Sequence, residues 1–280
     1  MIKDILVKLE PDASRDGASD YAISLAEAFG AHLTGVAFAS AGRSNFALPG
    51  IPADVLPETL TETLTEEAAV ARSAVQRFAE AAQRRLASIE PRLITEGDLS
   101  PSTVFSRMAR RFDLSVVMQS DRHSHVSNDS TIEAVLFESG RPVLIVPYTQ
   151  RDGLKLDRIL CCWDGSRAAA RAVNDALPLL RRTTAVELVI VDQGGNEPEP
   201  DLRGVEIRRH LARHGVDVEI QILHAVAIEV ADVILSYVAD CSANMIVMGG
   251  YGHSRLREFV FGGVTLNMLS SMTIPVFMSH

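Results

Sequence analysis

Close to the C-terminus, in Met248–Gly263, the chain reads MGGYGHSRLREFVFGG, and five glycines bracket a short basic and aromatic segment. Gly249 is followed after two residues by Gly252 and after nine more by Gly262, with Gly263 and Val264 next. Glycine costs conformational entropy, so a cluster marks backbone that turns through positive φ or lies very close to something. The apolar run ANMIVM precedes the cluster and VTLNMLSSMTIPVFMSH follows it, so the glycines sit between a strand and the last helix. A helix start presents unpaired N–H groups and the positive end of the helix dipole, which suits an anion. A second candidate lies in CCWDGS, where Asp164, Gly165 and Ser166 stand just past a strand and just before a helix. Taken alone, the glycines make only a turn and a tight helix entry, and Asp164 only a helix cap. The rest of the chain decides between these uses.

The elements that must position these residues occur twice. KDILVKLEPDASRDGASDYAISLAEAFGAHLTGVAF opens the first half, and LDRILCCWDGSRAAARAVNDALPLLRRTTAVELVIVD opens the second. FDLSVVMQS resembles ANMIVMGG, and ESGRPVLIVP resembles SMTIPVFMS. A repeat of this length predicts two copies of one domain, over residues 1–150 and 151–280, joined by the polar stretch Tyr148–Arg158. Strands are expected at Asp4–Leu9, Leu33–Phe38, Arg92–Thr95, Ser115–Met118 and Val143–Val146. The second copy should have them at Ile159–Cys162, Val186–Val191, Val218–Leu223, Met245–Met248 and Pro275–Met278. They are short, apolar on both faces and separated by helical stretches, the pattern of a parallel sheet covered on both sides. The expected fold is therefore α/β, two tandem doubly wound parallel-sheet domains of Rossmann-like type. The Pro- and Gly-rich ASAGRSNFALPGIPADVLPE reads as a loop, followed by a helix from Glu58 to Ile89. The two final strands are apolar and would be exposed edges unless they paired, so pairing between the halves is expected.

In a doubly wound sheet, ligands bind beyond the C-terminal strand ends, where the connections diverge. Both candidate segments of the second half meet that condition. Gly249-x2-Gly252-x9-Gly262, with the early Asp-Gly-Ser and the final IPV strand, resembles the nucleotide-binding pattern of the universal stress protein family. The likeness covers nearly the whole chain, as a tandem of two such domains. It implies an adenine-nucleotide site in the second half, with ATP or another adenine nucleotide, alone or with Mg²⁺, as the ligand. Asp164 and Gly165 would face the ribose or adenine, and the backbone near Val189 or Val191 would meet the adenine edge. Gly249 and Gly252 would let the loop approach sugar and phosphates, and Gly262, Gly263 and Val264 would open the helix that holds phosphate oxygens. The family pattern carries Ser or Thr after the last glycine, where this chain has Gly263; Thr265 is the nearby hydroxyl that could stand in. The resemblance also implies a cytoplasmic stress-response module that binds rather than turns over nucleotide, with a further homodimer and an unidentified protein partner. A slow Mg²⁺-dependent ATP hydrolase and a scaffold without nucleotide are the alternatives.

The first half lacks this equipment. Gln119 stands where Gly249 stands, Asp129 and Ser130 replace Gly262 and Gly263, and Glu10 roughly replaces Asp164. The first copy is expected to be a scaffold. Other candidates are weaker. His123 and His125 lack a third metal ligand in view, and His210 and His214, one helical turn apart, have basic neighbours, as on a solvated face. Cys161, Cys162 and Cys241 are too few and irregular for a disulfide framework or a zinc site, which fits a reducing cytoplasm, and Cys241 is expected to be plainly buried. The net charge of −9 is shared by two acidic halves, arguing against a nucleic-acid surface. The N-terminus lacks a signal-peptide pattern, and no apolar run approaches the length of a membrane span. No Walker lysine, nucleophile elbow or carboxylate pair points to catalysis.

Overall fold

Ile5, Leu6 and Val7 lie side by side in the first strand, and all three are fully buried. A strand apolar on both faces needs cover on both sides, and the architecture follows from that need. The computed structural model describes residues 1–12, 16–39, 58–95, 99–120, 127–194, 200–225, 228–251 and 263–280, without the side chains of 58–64 and 200–203. The strands are β1 (Asp4–Lys8), β2 (His32–Phe38), β3 (Ile89–Ile94), β4 (Leu114–Met118), β5 (Val143–Val146), β6 (Arg158–Cys162), β7 (Ala185–Asp192), β8 (Glu219–His224), β9 (Met245–Gly249) and β10 (Val276–Ser279). They form one ten-stranded sheet in the order β3-β2-β1-β4-β5-β10-β9-β6-β7-β8. The order of the first five is repeated, reversed across the sheet, by the second five.

Every neighbouring pair is parallel except β5 and β10, which pair antiparallel with Ile145, Leu144 and Val143 opposite Val276, Phe277 and Met278. The expected pairing of the two final strands is present. Aligned on RPVLIVP and IPVFMS, Leu144 and Phe277 hold the same place in the two repeats, and they stand opposite each other. An approximate two-fold relation therefore passes through this pair.

Alternation along each strand splits the core in two. Ile5, Val7, Ile159 and Cys161 pack on one face, against α1 (Gly17–Phe29), α2 (Glu58–Gln83), α5 (Arg167–Asp175), α6 (Leu177–Leu180) and α7 (Pro200–Arg213). Leu6 and Leu160 pack on the other, against α3 (Pro101–Ala109), α4 (Asp129–Ala134), α8 (Val230–Cys241) and α9 (Gly263–Ser271). A π-helical turn, Val135–Ser139, continues α4.

Two boundaries differ from expectation by more than one residue. The strand expected from Arg92 begins at Ile89, because Pro91 is tolerated where β3 forms the sheet edge. The helix expected to reach Ile89 stops at Gln83, since Ile89 belongs to the strand. The loop expected between Ala39 and Glu58 falls almost wholly outside the described residues, as do His123 and His125.

Candidate functional site

β6 and β9 are parallel neighbours, with Cys161 opposite Val247. From β6 the chain runs through α5 on one face to β7; into β9 it arrives through α8 on the opposite face. The connections diverge between these two strands, and the region beyond their C-terminal ends is where a doubly wound sheet places a ligand. Trp163 and Asp164 follow β6 there, and Gly250 and Tyr251 follow β9.

On the β6 side, Ser166 accepts the Ala169 N–H at 3.1 Å and caps α5. Asp164, expected as the cap, stands two residues earlier and accepts the Ser166 N–H at 2.9 Å, tightening the turn ahead of the helix. Gly165 makes that turn at φ +75°, where an L side chain is strained. Asp164 and Gly165 are exposed. Burial, reinforced by Asp164, pushes the Cys162 thiol up to about 12, so it is not a nucleophile at neutral pH.

On the β9 side, Gly249 proves to be a packing residue. A Cβ on it would stand 2.5 Å from Ala169 N and 2.6 Å from Ala168 C, in the first turn of α5. Its missing side chain makes room for the backbone of α5. Gly250 donates its N–H to Ser279 O at 2.9 Å, and its carbonyl pairs with His280 Nδ1 at 2.9 Å. Tyr251 then takes φ +56°, rare outside glycine, and donates its N–H to Thr265 Oγ1 at 3.2 Å. Thr265 is buried, so the hydroxyl expected to stand in for a phosphate ligand instead pins the loop to α9. Burial, then the charges of Glu133 and Asp129, push the Tyr251 phenol up to about 12.

Gly263 opens α9, exposed and without left-handed backbone, and a Cβ there would meet nothing within 4 Å. Val264 and Val191 are half-buried on the same core face as Cys162. Gly252 and Gly262 lie outside the described residues. The first half also reaches this region: Leu136 lies 3.5 Å from a Cβ built on Gly250, and Phe137 packs on Tyr251 and His280 with ring centroids 4.9 and 4.8 Å apart. Nothing in the sequence marks Leu136 or Phe137, because the contact joins segments far apart in the chain. Ser166 was missed as the cap, although a hydroxyl three residues before a helical N–H is the signal that marks one.

At the equivalent place in the first half, polar side chains of the chain bond one another. Glu10 is buried, 3.2 Å from Lys8 Nζ, and accepts Asn128 Nδ2 at 2.9 Å. Ser120 Oγ accepts the Asn128 N–H at 2.8 Å and donates to Asp129 at 2.6 Å, while Ser127 Oγ accepts the Asp129 N–H at 3.2 Å. Side chains ahead of α4 thus take the N–H groups of Asn128 and Asp129, and Asp129 puts a carboxylate at the first position of the helix. Gln119 donates to Leu269 O at 2.7 Å and accepts the Tyr148 N–H, so it braces the seam between the halves.

Elsewhere, His210 and His214, expected on a solvated face, are half-buried and pack on each other with ring centroids 4.6 Å apart, His210 bonding Asn174 and His214 bonding Arg181. Cys241 is half-buried, and burial raises its thiol pKa. Among the described residues, no group of three or more His, Cys, Asp or Glu side chains could hold a metal ion, and no helix is long and apolar enough to cross a membrane.

Residues 155–280 match the universal stress protein family. The chain belongs to that family through its second half. A universal stress protein of Synechocystis is 24% identical over 148 residues, which cover 52% of this chain and 50% of that protein, so the match spans about half of the relative's length. Over the whole chain the fold resembles that of a universal stress protein from Archaeoglobus fulgidus, with TM-score 0.71, 17% identity, and 99% and 95% of the two chains covered. A structure from Pseudomonas aeruginosa gives TM-score 0.65 at 15% identity, covering 99% and 93%. At these identities the structural likeness concerns the fold, which is the α/β fold of universal stress proteins.

Proposed function

We propose that residues 151–280 form an adenine-nucleotide-binding unit, with ATP as its ligand, and that residues 1–150 form a sister unit that supports it without binding nucleotide. The protein then serves as a regulatory module of a stress response in the cytoplasm, binding nucleotide without turning it over. A homodimer and a protein partner belong to the same proposal.

The observation that carries it is the contrast between two helix starts. α9 begins at an exposed glycine whose added Cβ would meet nothing within 4 Å among the described residues, whereas α4 begins with the carboxylate of Asp129, whose own N–H is taken by Ser127, and with the buried Glu10 hydrogen-bonded to Asn128. An anion is favoured at the first and repelled at the second. In the second half, the N–H groups of Gly262, Gly263 and Val264 would hold phosphate oxygens, joined by the loop at Gly249 and Gly252. Asp164 would take the ribose, with Gly165 shaping its turn, and Val191 would flank the base. Mg²⁺ would arrive with the phosphates. The match to the family over residues 155–280 supports this assignment.

Trp163, the single tryptophan of the chain, adjoins Asp164 and reports on the site. Titration of the full chain with ATP, ADP and adenosine should give saturable changes in its fluorescence, and prolonged incubation with Mg·ATP should release no phosphate above the uncatalysed rate. Absence of a saturable change with every adenine nucleotide would overturn the proposal.

A further inference from the structure

The turn Val135–Ser139, which continues α4 in the first half, is π-helical. Such turns are rare, occur mostly singly within α-helices and fall frequently at functional sites. This one is fixed from several sides. Ser139 Oγ donates to Val135 O at 2.6 Å and accepts the Arg141 N–H at 2.9 Å. Arg110 Nε, at the end of α3, donates to Glu138 O at 3.1 Å. From the second half, Arg171 Nη2 in α5 donates to Gly140 O at 2.8 Å. Leu136 and Phe137 are thereby presented to the end of β9, Leu136 beside Gly250 and the Phe137 ring on Tyr251 and His280.

The residue that Phe137 meets is under backbone strain. Tyr251 is buried and takes φ +56°. A residue with a side chain keeps left-handed backbone only where its surroundings over-determine it. Two of its contacts bear on this. Its N–H is donated to Thr265 Oγ1 at 3.2 Å, in the first turn of α9, and its ring packs on that of Phe137 with centroids 4.9 Å apart. His280 completes the cluster, its ring 4.8 Å from that of Phe137 and its Nδ1 bonding Gly250 O at 2.9 Å. The end of β9 is thus held between α9 of its own half and the π-helical turn of the other.

We propose that Phe137 of the first half is a positioning residue for the site of the second. Its ring keeps Tyr251 in left-handed backbone, and the Tyr251–Thr265 hydrogen bond then sets the first turn of α9 against β9. The first half thereby supplies a part without which the phosphate-facing helix start is misplaced. The effect on nucleotide rests on the reading of residues 151–280 as a nucleotide-binding unit; the effect on Tyr251 does not.

Amide exchange by NMR and titration with ATP, both on the full-length chain, test it. Phe137 is 38% exposed, so Phe137→Ala removes the ring with little loss of core, and Phe137→Tyr keeps the ring. Without nucleotide, the Tyr251 N–H should exchange at least about tenfold faster in Phe137→Ala and at the wild-type rate in Phe137→Tyr. Val247, in the middle of β9, should keep its rate in both. ATP affinity should fall about three- to tenfold in Phe137→Ala, the scale of an aromatic pair, and match wild type in Phe137→Tyr. Unchanged Tyr251 exchange in Phe137→Ala would overturn the proposal, as would faster exchange shared by Val247, which would mean general loosening. So would an ATP affinity that Phe137→Ala leaves intact. A wild-type chain that binds no adenine nucleotide would sink the nucleotide reading alone, and Tyr251 exchange would still decide the role of Phe137.

Discussion

Gly249 lies so close to Ala169 that a Cβ on the glycine would stand 2.5 Å from the alanine's backbone nitrogen. The neighbour is helix backbone and cannot swing aside like a side chain, so Gly249→Ala must push α5 away from β9. Overpacking of this kind costs about 1–3 kcal/mol. Urea denaturation of the nucleotide-free chain should show that loss. Unchanged stability would show that α5 does not need the space that Gly249 leaves.

Gly263 has the opposite surroundings, exposed, with open space and no left-handed backbone. Gly263→Ser should therefore fold normally and supply the hydroxyl that the family pattern carries there. A hydrogen bond to a charged group is worth about 1.5–3 kcal/mol, of which backbone N–H groups and water already recover part. The expected gain is about 1 kcal/mol, a several-fold tighter ATP affinity with adenosine little changed. Parallel titrations of both ligands decide it, and an ATP affinity that stays the same or falls would show that the hydroxyl is not what phosphate binding lacks.

These two glycines also mark how far the sequence could be read. All ten strands were legible because each is a short apolar run between turn residues, and the repeat made the pairing of Val143–Val146 with Val276–Ser279 foreseeable. The spacing of Gly249 showed that something approaches closely, but a missing side chain does not say what fills the space, and α5 fills it. The capping role fell to Ser166 because the helix begins after it, a boundary that composition leaves open by a residue or two. Thr265 looked available for a ligand until folding buried it against the N–H of Tyr251. Leu136 and Phe137 carry no local signal, since their role depends on the seam between the halves.

Asp16, the cap of α1, has its carboxyl raised to about 7, chiefly by burial; the Ser19 hydrogen bond opposes the shift and the Glu10 charge adds to it. The folded chain then holds a proton that the unfolded chain, with its ordinary carboxyl near 3.8, has already released. Stability from this group is greatest below about pH 4, falls as pH rises to about 7, and is level above. Asp16→Asn keeps a competent cap and removes the titration. Its denaturation free energy should fall less between pH 4 and pH 8 than that of wild type, by about 1–2 kcal/mol after allowance for solvent screening. Parallel pH slopes for the two proteins would contradict this.

Because Leu144 and Phe277 are repeat equivalents that face each other, β10 should be able to pair antiparallel with a second copy of itself. Residues 151–280 expressed alone would expose β10 as an apolar edge, which folded proteins avoid. Sedimentation at micromolar concentration should find that fragment as a dimer, whereas a stable monomer would show that the seam needs the sequence of β5.

One nucleotide per chain, held at the start of α9 and refused at the start of α4, is the central claim. Calorimetric titration with ATP measures it directly on the full-length protein and on Gly263→Asp, which places a carboxylate at the first helical position, as Asp129 does in the first half. The expected result is one site per chain in wild type and a loss of at least about tenfold in affinity in the folded variant. Two sites, none, or an affinity untouched by Gly263→Asp would contradict it.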